Sequence, residues 1–258
     1  MPLNPPISSW RERRVWVVGA STGIGRALAE GLLARGARVA VSARRTGPLN
    51  ELAQAHGEAV AVLPLDVTDA GQVRDAAEAL VARWGGCDLV LCVAGNYQPM
   101  RAWELDLSAA RQLVEVNVMG VFNVVHAVLP ALLAQGGGGI GIVSSVAGFR
   151  GLPRSLVYGP TKAALINLAE ALYLDLHGRG VAVHVINPGF VKTPLTDQND
   201  FQMPALISAE EAAAHTLRGI ERGAFEIHYP KRFTLLLKLL RVLPYRWYFP
   251  MIHRITGL

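Results

Sequence analysis

From residue 15 to about residue 225, short apolar runs alternate with longer stretches in which apolar positions recur every three or four residues. Compact apolar runs bounded by glycine or proline read as buried strands, and the longer periodic stretches read as helices. The strands predicted in this way are Val15–Val18, Arg38–Ser42, Ala59–Leu63 continuing through Leu65–Val67, Leu89–Val93, Ile140–Ser145 and Val181–Ile186. Between them, helices are predicted from the glycine turn at 19–25 to about Arg35, with Gly36 as its cap, over Thr68–Trp84, over 108–134 and from Tyr158 onward. Ser208-Ala-Glu-Glu211 has capping-box spacing and opens another helix. Such regular alternation predicts an α/β fold.

No linker, charge block or repeat interrupts the alternation, so residues 1–230 are expected to form one domain. It begins with a short surface arm, 1–13, and 194–207 reads as a flap over a pocket. Prolines and charges stand in the arm where a signal peptide needs an apolar core, and no apolar run is expected to reach the ~20 residues of a membrane span. Two cysteines, Cys87 and Cys92, cannot form a disulfide framework, which suits a reducing, cytoplasmic setting. The seven histidines show no metal-ligand spacing.

The formal charge is +5, with 25 basic and 20 acidic residues. Lys231, Arg232, Lys238, Arg241, Arg246 and Arg254 lie in 231–258, which has no Asp or Glu. Without those six the chain carries 19 basic residues against 20 acidic ones, about −1. The basicity belongs to the tail, which argues against a nucleic-acid-binding core.

The first strand runs into Gly19-Ala-Ser21-Thr22-Gly23-Ile24-Gly25 and a helix start. Backbone N–H groups and the helix dipole there form a cradle for a pyrophosphate. An acid at the end of the second strand would bind ribose hydroxyls and repel a 2′-phosphate; this chain has Ala43-Arg44-Arg45 instead. Two guanidiniums favour NADP(H) over NAD(H). Asp66, followed by Val67, ends the third strand at a position suited to an adenine amino group. Asn117 sits on the apolar face of a long helix, either filling a kink or serving a proton path.

Ser145 to Lys162 carries the candidate chemistry. Tyr158 and Lys162, four apart, share a helix face, and Ser145 ends a strand that could face them. Free tyrosine has a pKa of ~10 and is only about 0.1% phenolate at pH 7. An ammonium about 4 Å away would be worth up to ~4 kcal/mol at an effective dielectric of ~20, roughly three pKa units. Lys162 is therefore expected to lower the Tyr158 pKa toward working pH, as a general acid–base requires.

In their order and spacing these motifs resemble the short-chain dehydrogenase/reductase family over residues 14 to about 225. The set comprises Gly19/Gly23/Gly25, Asp66, Ala94-Gly95, Asn117, Ser145 with Tyr158 and Lys162, and Pro188-Gly189 with Thr193. The resemblance implies a Rossmann-type, doubly wound parallel sheet of about seven strands with helices on both faces. It makes Tyr158 the catalytic acid–base, Ser145 the carbonyl clamp, and Lys162 the residue that lowers the tyrosine pKa and holds the nicotinamide ribose. It makes Asn117 the holder of a water linking Lys162 to solvent, with Thr193 and the backbone near Val191 at the carboxamide. It further implies a homodimer or homotetramer built on the helices bearing Asn117 and Tyr158. Val18 and Cys92-Val93 depart from the family's frequent Thr and Asn-Asn.

Lys231, Thr234, Lys238 and Arg241 line one face of a leucine-rich helix, and Tyr245-Arg-Trp-Tyr-Phe249 follows. This basic amphipathic extension reads as a peripheral membrane helix or as a lid or subunit contact that buries its leucines. The expected activity is NADP(H)-dependent hydride transfer to or from an apolar ketone or alcohol. The alternatives are a catalytically silent NADP(H) sensor or scaffold, and a membrane-surface protein acting mainly through its tail.

Overall fold

The computed structural model describes residues 2–198 and 203–257. Seven parallel strands form one sheet: β1 (Arg14–Val18), β2 (Arg38–Ser42), β3 (Val60–Val62), β4 (Leu89–Cys92), β5 (Gly138–Val143), β6 (Val181–Pro188) and β7 (Glu226–Tyr229). Their spatial order is β3-β2-β1-β4-β5-β6-β7. The chain winds outward from β1 to β3, then returns to β4 on the other side of β1. That reversal opens a crevice at the carboxyl ends of β1 and β4, where α/β sheets bind ligands.

Alternation along β1 shows why both faces need cover. Trp16 and Val18 point into the core shared with α3 (Ala70–Trp84), α5 (Gly120–Ala134) and α6 (Tyr158–Leu176). Val15 and Val17 point into the opposite core, against α1 (Gly23–Leu33), α2 (Gly47–His56) and α7 (Ala209–Glu221). All four are essentially inaccessible. α4 (Leu107–Val114) leads into α5, and α8 (Lys231–Arg241) and α9 (Tyr245–Thr256) close the chain.

Several boundaries differ from those the pattern predicts. The third strand keeps only Val60–Val62, and Asp66 falls in the turn beyond, because Pro64 has no N–H to give a ladder. α3 begins at Ala70, not Thr68, because Asp69 caps it by accepting from the N–H groups of Gly71 and Gln72. β7, which the pattern did not predict, is a four-residue strand at the sheet edge. The arm is more than a surface arm: Asn4 is buried, donating to the Val183 carbonyl at 2.7 Å and accepting from the Val183 N–H at 3.1 Å. Trp10 is buried too and donates to Glu221 at 2.7 Å. The flap expected at 194–207 includes 199–202, which lie outside the described residues. Its ends are pinned by Thr196 Oγ1 donating to the Val191 carbonyl and by bonding between Lys192 and Ile207.

Leu107–Ala134 is one continuous helical run, long and apolar enough to cross a membrane by length and composition, contrary to the expectation that no run would be. It is a core element here: Val121, Val124, Val125, Val128 and Leu132 are buried in the core shared with α3. Midway, Glu115–Met119 forms a π-helical turn. The wider turn carries Asn117, which is fully buried.

Candidate active site

The glycine turn follows β1 under tight steric rule. Gly19 has φ +102°, and a Cβ there would lie 2.4 Å from the Ala94 nitrogen. A Cβ on Gly25 would lie 2.0 Å from the Gly19 carbonyl oxygen. The turn is closed over β4 as well, because the N–H groups of Val93 and Ala94 both donate to the Val18 carbonyl at 2.8 Å. α3, α4 and α7 begin at Asp69, Asp106 and Ser208, whose side chains accept from the first-turn N–H groups. α1 begins at Thr22 with no side-chain cap and no acid in its first turn. Its leading N–H groups are thus left to an outside acceptor, and a phosphate suits them.

A cavity of about 670 Å³ runs from this turn along the carboxyl ends of the strands. Gly19, Ser21, Thr22, Gly23, Ile24, Gly25, Arg44, Arg45, Asp66, Val67, Ala94, Gly95, Ser145, Tyr158, Lys162, Pro188, Gly189, Val191 and Thr193 all line it. The dispersed sequence motifs therefore converge on one elongated chamber. Its size, its backbone donors at the centre and its cations at one end fit a dinucleotide. Arg44 is mostly exposed, with a terminal nitrogen 3.9 Å from the Asp66 carboxylate. Asp66 also accepts from the Thr68 N–H and hydroxyl, which fixes its turn.

At the opposite end Ser145 and Tyr158 share a side-chain hydrogen bond. Two contacts fix this approach of β5 to α6. Ser144 Oγ donates to the Lys162 carbonyl at 2.6 Å, and Gly148 packs so closely that a Cβ would lie 2.7 Å from the Lys162 carbonyl carbon. Tyr97 packs edge-on against the Tyr158 ring, centroids 5.0 Å apart.

The electrostatics differ from the expectation. Burial pushes the Tyr158 phenol up to about 12, the Ser145 hydrogen bond opposes this, and Tyr97 adds to it. Lys162 is buried and donates to the Val143 carbonyl at 3.0 Å; its ammonium lies 5.6 Å from the Tyr158 ring centroid. Burial brings Lys162 down to about 8. The anticipated lowering of Tyr158 by Lys162 is thus absent from this state, because desolvation of the phenol outweighs an ammonium directed at a carbonyl.

Asn117 does not line the cavity. Its Oδ1 accepts from the Asn96 N–H at 2.7 Å, and its Nδ2 donates to the Asn96 carbonyl at 2.9 Å and to Thr161 Oγ1 at 3.2 Å. It therefore ties the cavity wall at Asn96 to the first turn of α6. The sequence reading missed Asn96, Tyr97 and Ser144. The Ser144-Ser145 pair was the available signal for Ser144; Tyr97 had none, since an aromatic after Ala-Gly has no period. Among the described residues no cluster of His, Cys, Asp or Glu could hold a metal ion.

Comparison with known proteins agrees with this geometry. The family model for short chain dehydrogenases matches residues 13–203. An uncharacterized oxidoreductase of Myxococcus xanthus is 40% identical over 235 residues, spanning 90% of this chain and 93% of its own. One from Staphylococcus epidermidis is 34% identical over 203 residues, spanning 79% and 88%. A short chain dehydrogenase of Burkholderia cenocepacia, crystallised with NADP, superposes with a TM-score of 0.81 at 29% identity, over 95% of this chain and 98% of its own. A Burkholderia phymatum short chain dehydrogenase/reductase, crystallised with NAD, gives 0.83 at 25% identity, over 90% and 94%.

Proposed function

The chain belongs to the short-chain dehydrogenase/reductase family and is an oxidoreductase; from that premise we propose that it moves hydride between NADP(H) and the carbonyl or secondary-alcohol carbon of an apolar small molecule, with Tyr158 as general acid–base. The observation that carries this reading is the joined pair of hydroxyls, Ser145 and Tyr158, at one end of a cavity whose other end presents Arg44 and Arg45.

When bound, the nicotinamide supplies or accepts the hydride. In the reducing direction Ser145 donates a hydrogen bond to the substrate oxygen and holds it within reach of Tyr158. The phenol, neutral at pH 7 with its pKa near 12, gives that oxygen its proton as the carbon receives hydride. Lys162 steadies the resulting phenolate and holds the nicotinamide ribose, and Asn117 serves the water path that returns a proton. Arg44 and Arg45 hold the 2′-phosphate, and no carboxylate follows β2 to repel it. Asp66 and Val67 flank the adenine, while Val191 and Thr193 hold the carboxamide. Exposed Met119 and Phe122 on the π turn and α5 support pairing of copies through these helices. Buried, unpaired Cys87 and Cys92 suit a reducing cytoplasm.

NADPH consumption across ketones of graded chain length and bulk, repeated with NADH, tests the reading. Turnover is expected with NADPH and apolar ketones. Tight NADPH binding without turnover of any of them would favour the silent sensor instead.

A further inference from the structure

α8 and α9 stand apart from the proposed chemistry yet are held firmly to the body. Thr234 is buried, its Oγ1 lies 2.6 Å from His228 Nδ1, and Lys231 Nζ donates to His228 Nε2 at 3.0 Å. Lys238 pairs with Glu226. Phe233 packs on Phe190, ring centroids 5.7 Å apart. From the loop before Tyr158, Arg150 donates to the carbonyls of Leu240, Arg241 and Leu243 at 2.9, 3.1 and 2.6 Å, capping the end of α8. The same guanidinium lies 3.9 Å from the Tyr248 ring centroid, and the Tyr248 hydroxyl donates to the Gly151 carbonyl at 2.7 Å.

These anchors roll α8 so that part of its polar stripe faces the body together with Leu237 and Leu240, while Leu235, Leu236 and Leu239 face away. Helices of water-soluble domains bury such residues and leave the lysines in water. Here Leu235, Leu236, Leu239 and Val242 are 51–75% exposed, and Trp247 and Phe249 on α9 are 59% and 54% exposed. A helical projection puts Arg232 on the same face as Leu235, Leu236 and Leu239. Among the described residues Arg232, Arg241, Arg246 and Arg254 form no ion pair, and 231–258 holds no acid.

We propose that the α8–α9 pair docks peripherally on an anionic lipid bilayer, its leucines and Trp247 entering the interface and its free arginines meeting the headgroups. Charge selects this occupant over a second copy of the chain. Two such faces in apposition would bring Arg232 and the arginines of α9 in each copy toward those of the other, with no aspartate or glutamate from either tail. An anionic bilayer supplies both the countercharge and the apolar layer, and tryptophan is at home at its boundary. Because Arg150 and Gly151 join the tail to the loop leading into Tyr158, docking also sets the substrate side of the cavity close to lipid. That consequence rests on the function proposed above; the docking does not.

The test is flotation of the full chain with vesicles of phosphatidylcholine alone and of phosphatidylcholine mixed with phosphatidylglycerol. The protein is expected to float with the anionic vesicles, to stay behind with the neutral ones, and to be released by salt. Each of R232Q and R246Q should weaken anionic binding by about five-fold. L236E/L239E should weaken it by about ten-fold or more, while thermal unfolding and NADPH binding stay as in the parent chain. Absence of flotation on anionic vesicles, or equal flotation on both kinds, would overturn the proposal. So would an oligomer in sedimentation that L236E/L239E dissociates, since a second copy would then be the occupant. None of these readings needs turnover, so they stand apart from any failure of the enzymatic reading.

Discussion

Lys162 turns its ammonium to the Val143 carbonyl at 3.0 Å and sits 5.6 Å from the centre of the Tyr158 ring. Burial, with no ammonium directed at the phenol, leaves Tyr158 protonated at neutral pH, the form needed to protonate a carbonyl oxygen, while Lys162, brought by burial to about 8, is charged below that pH and neutral above it. For ketone reduction kcat/KM is expected to be level below about pH 8 and to fall above it as the ammonium is lost. A pH–rate profile checks this; a reduction rate that climbs steadily above that pH would contradict it.

The absence of an acid after β2 predicts cofactor choice. R44A/R45A removes both cations from the cavity rim and should raise the Kd for NADPH by about 10–100-fold, since at this exposed rim the charge-assisted hydrogen bonds together contribute about 1.5–3 kcal/mol. Binding of NADH, without the 2′-phosphate, should change by no more than about three-fold. Fluorescence titration of both nucleotides measures the contrast. Equal losses would mean that the arginines do not read the phosphate.

Asn117 is a clamp. Removing its amide in N117A leaves the Asn96 N–H and carbonyl without their partners and frees Thr161 from the π turn. Stability is expected to fall by about 2–4 kcal/mol in urea unfolding. A loss below about 0.5 kcal/mol, the usual limit for a surface substitution, would show the clamp to be dispensable.

His184 makes the fold acid-sensitive. Its ring is buried, with Nδ1 2.6 Å from the Ala224 carbonyl, and burial lowers it from 6.5 to about 4. Below about pH 6.5 the unfolded chain takes a proton that the folded chain refuses until about pH 4, so stability falls as pH drops through that window. The contribution is on the order of 3 kcal/mol. H184Q should flatten the dependence of urea unfolding on pH between these limits; an unchanged slope would contradict the assignment.

The alternating pattern made the parallel sheet legible because strands covered on both faces must be largely apolar: β4 is so throughout, and β1 and β2 are broken only at their ends by Arg14, Arg38 and Ser42. It failed at β7, whose Glu226 and His228 are committed to Lys238, Lys231 and Thr234 of the tail and so interrupt the apolar run. Those long-range partners also set the roll of α8, which no local period reveals. The lining residues were legible because motif spacing encodes which loops meet at the switch point. The direction of the Lys162 side chain was not, because it depends on a carbonyl nineteen residues away. Asn117 stood between a kink and a proton path, and its placement waited on a π turn that shifts its face by one residue.

The central claim, that Tyr158 passes the proton in an NADPH-dependent reduction, is tested most directly by comparing the parent chain with Y158F on an apolar ketone. The parent chain should consume NADPH, and Y158F should do so about 10²–10⁴-fold more slowly while binding NADPH as tightly and unfolding at a similar temperature. Equal turnover by the two, with the fold intact, would contradict the account.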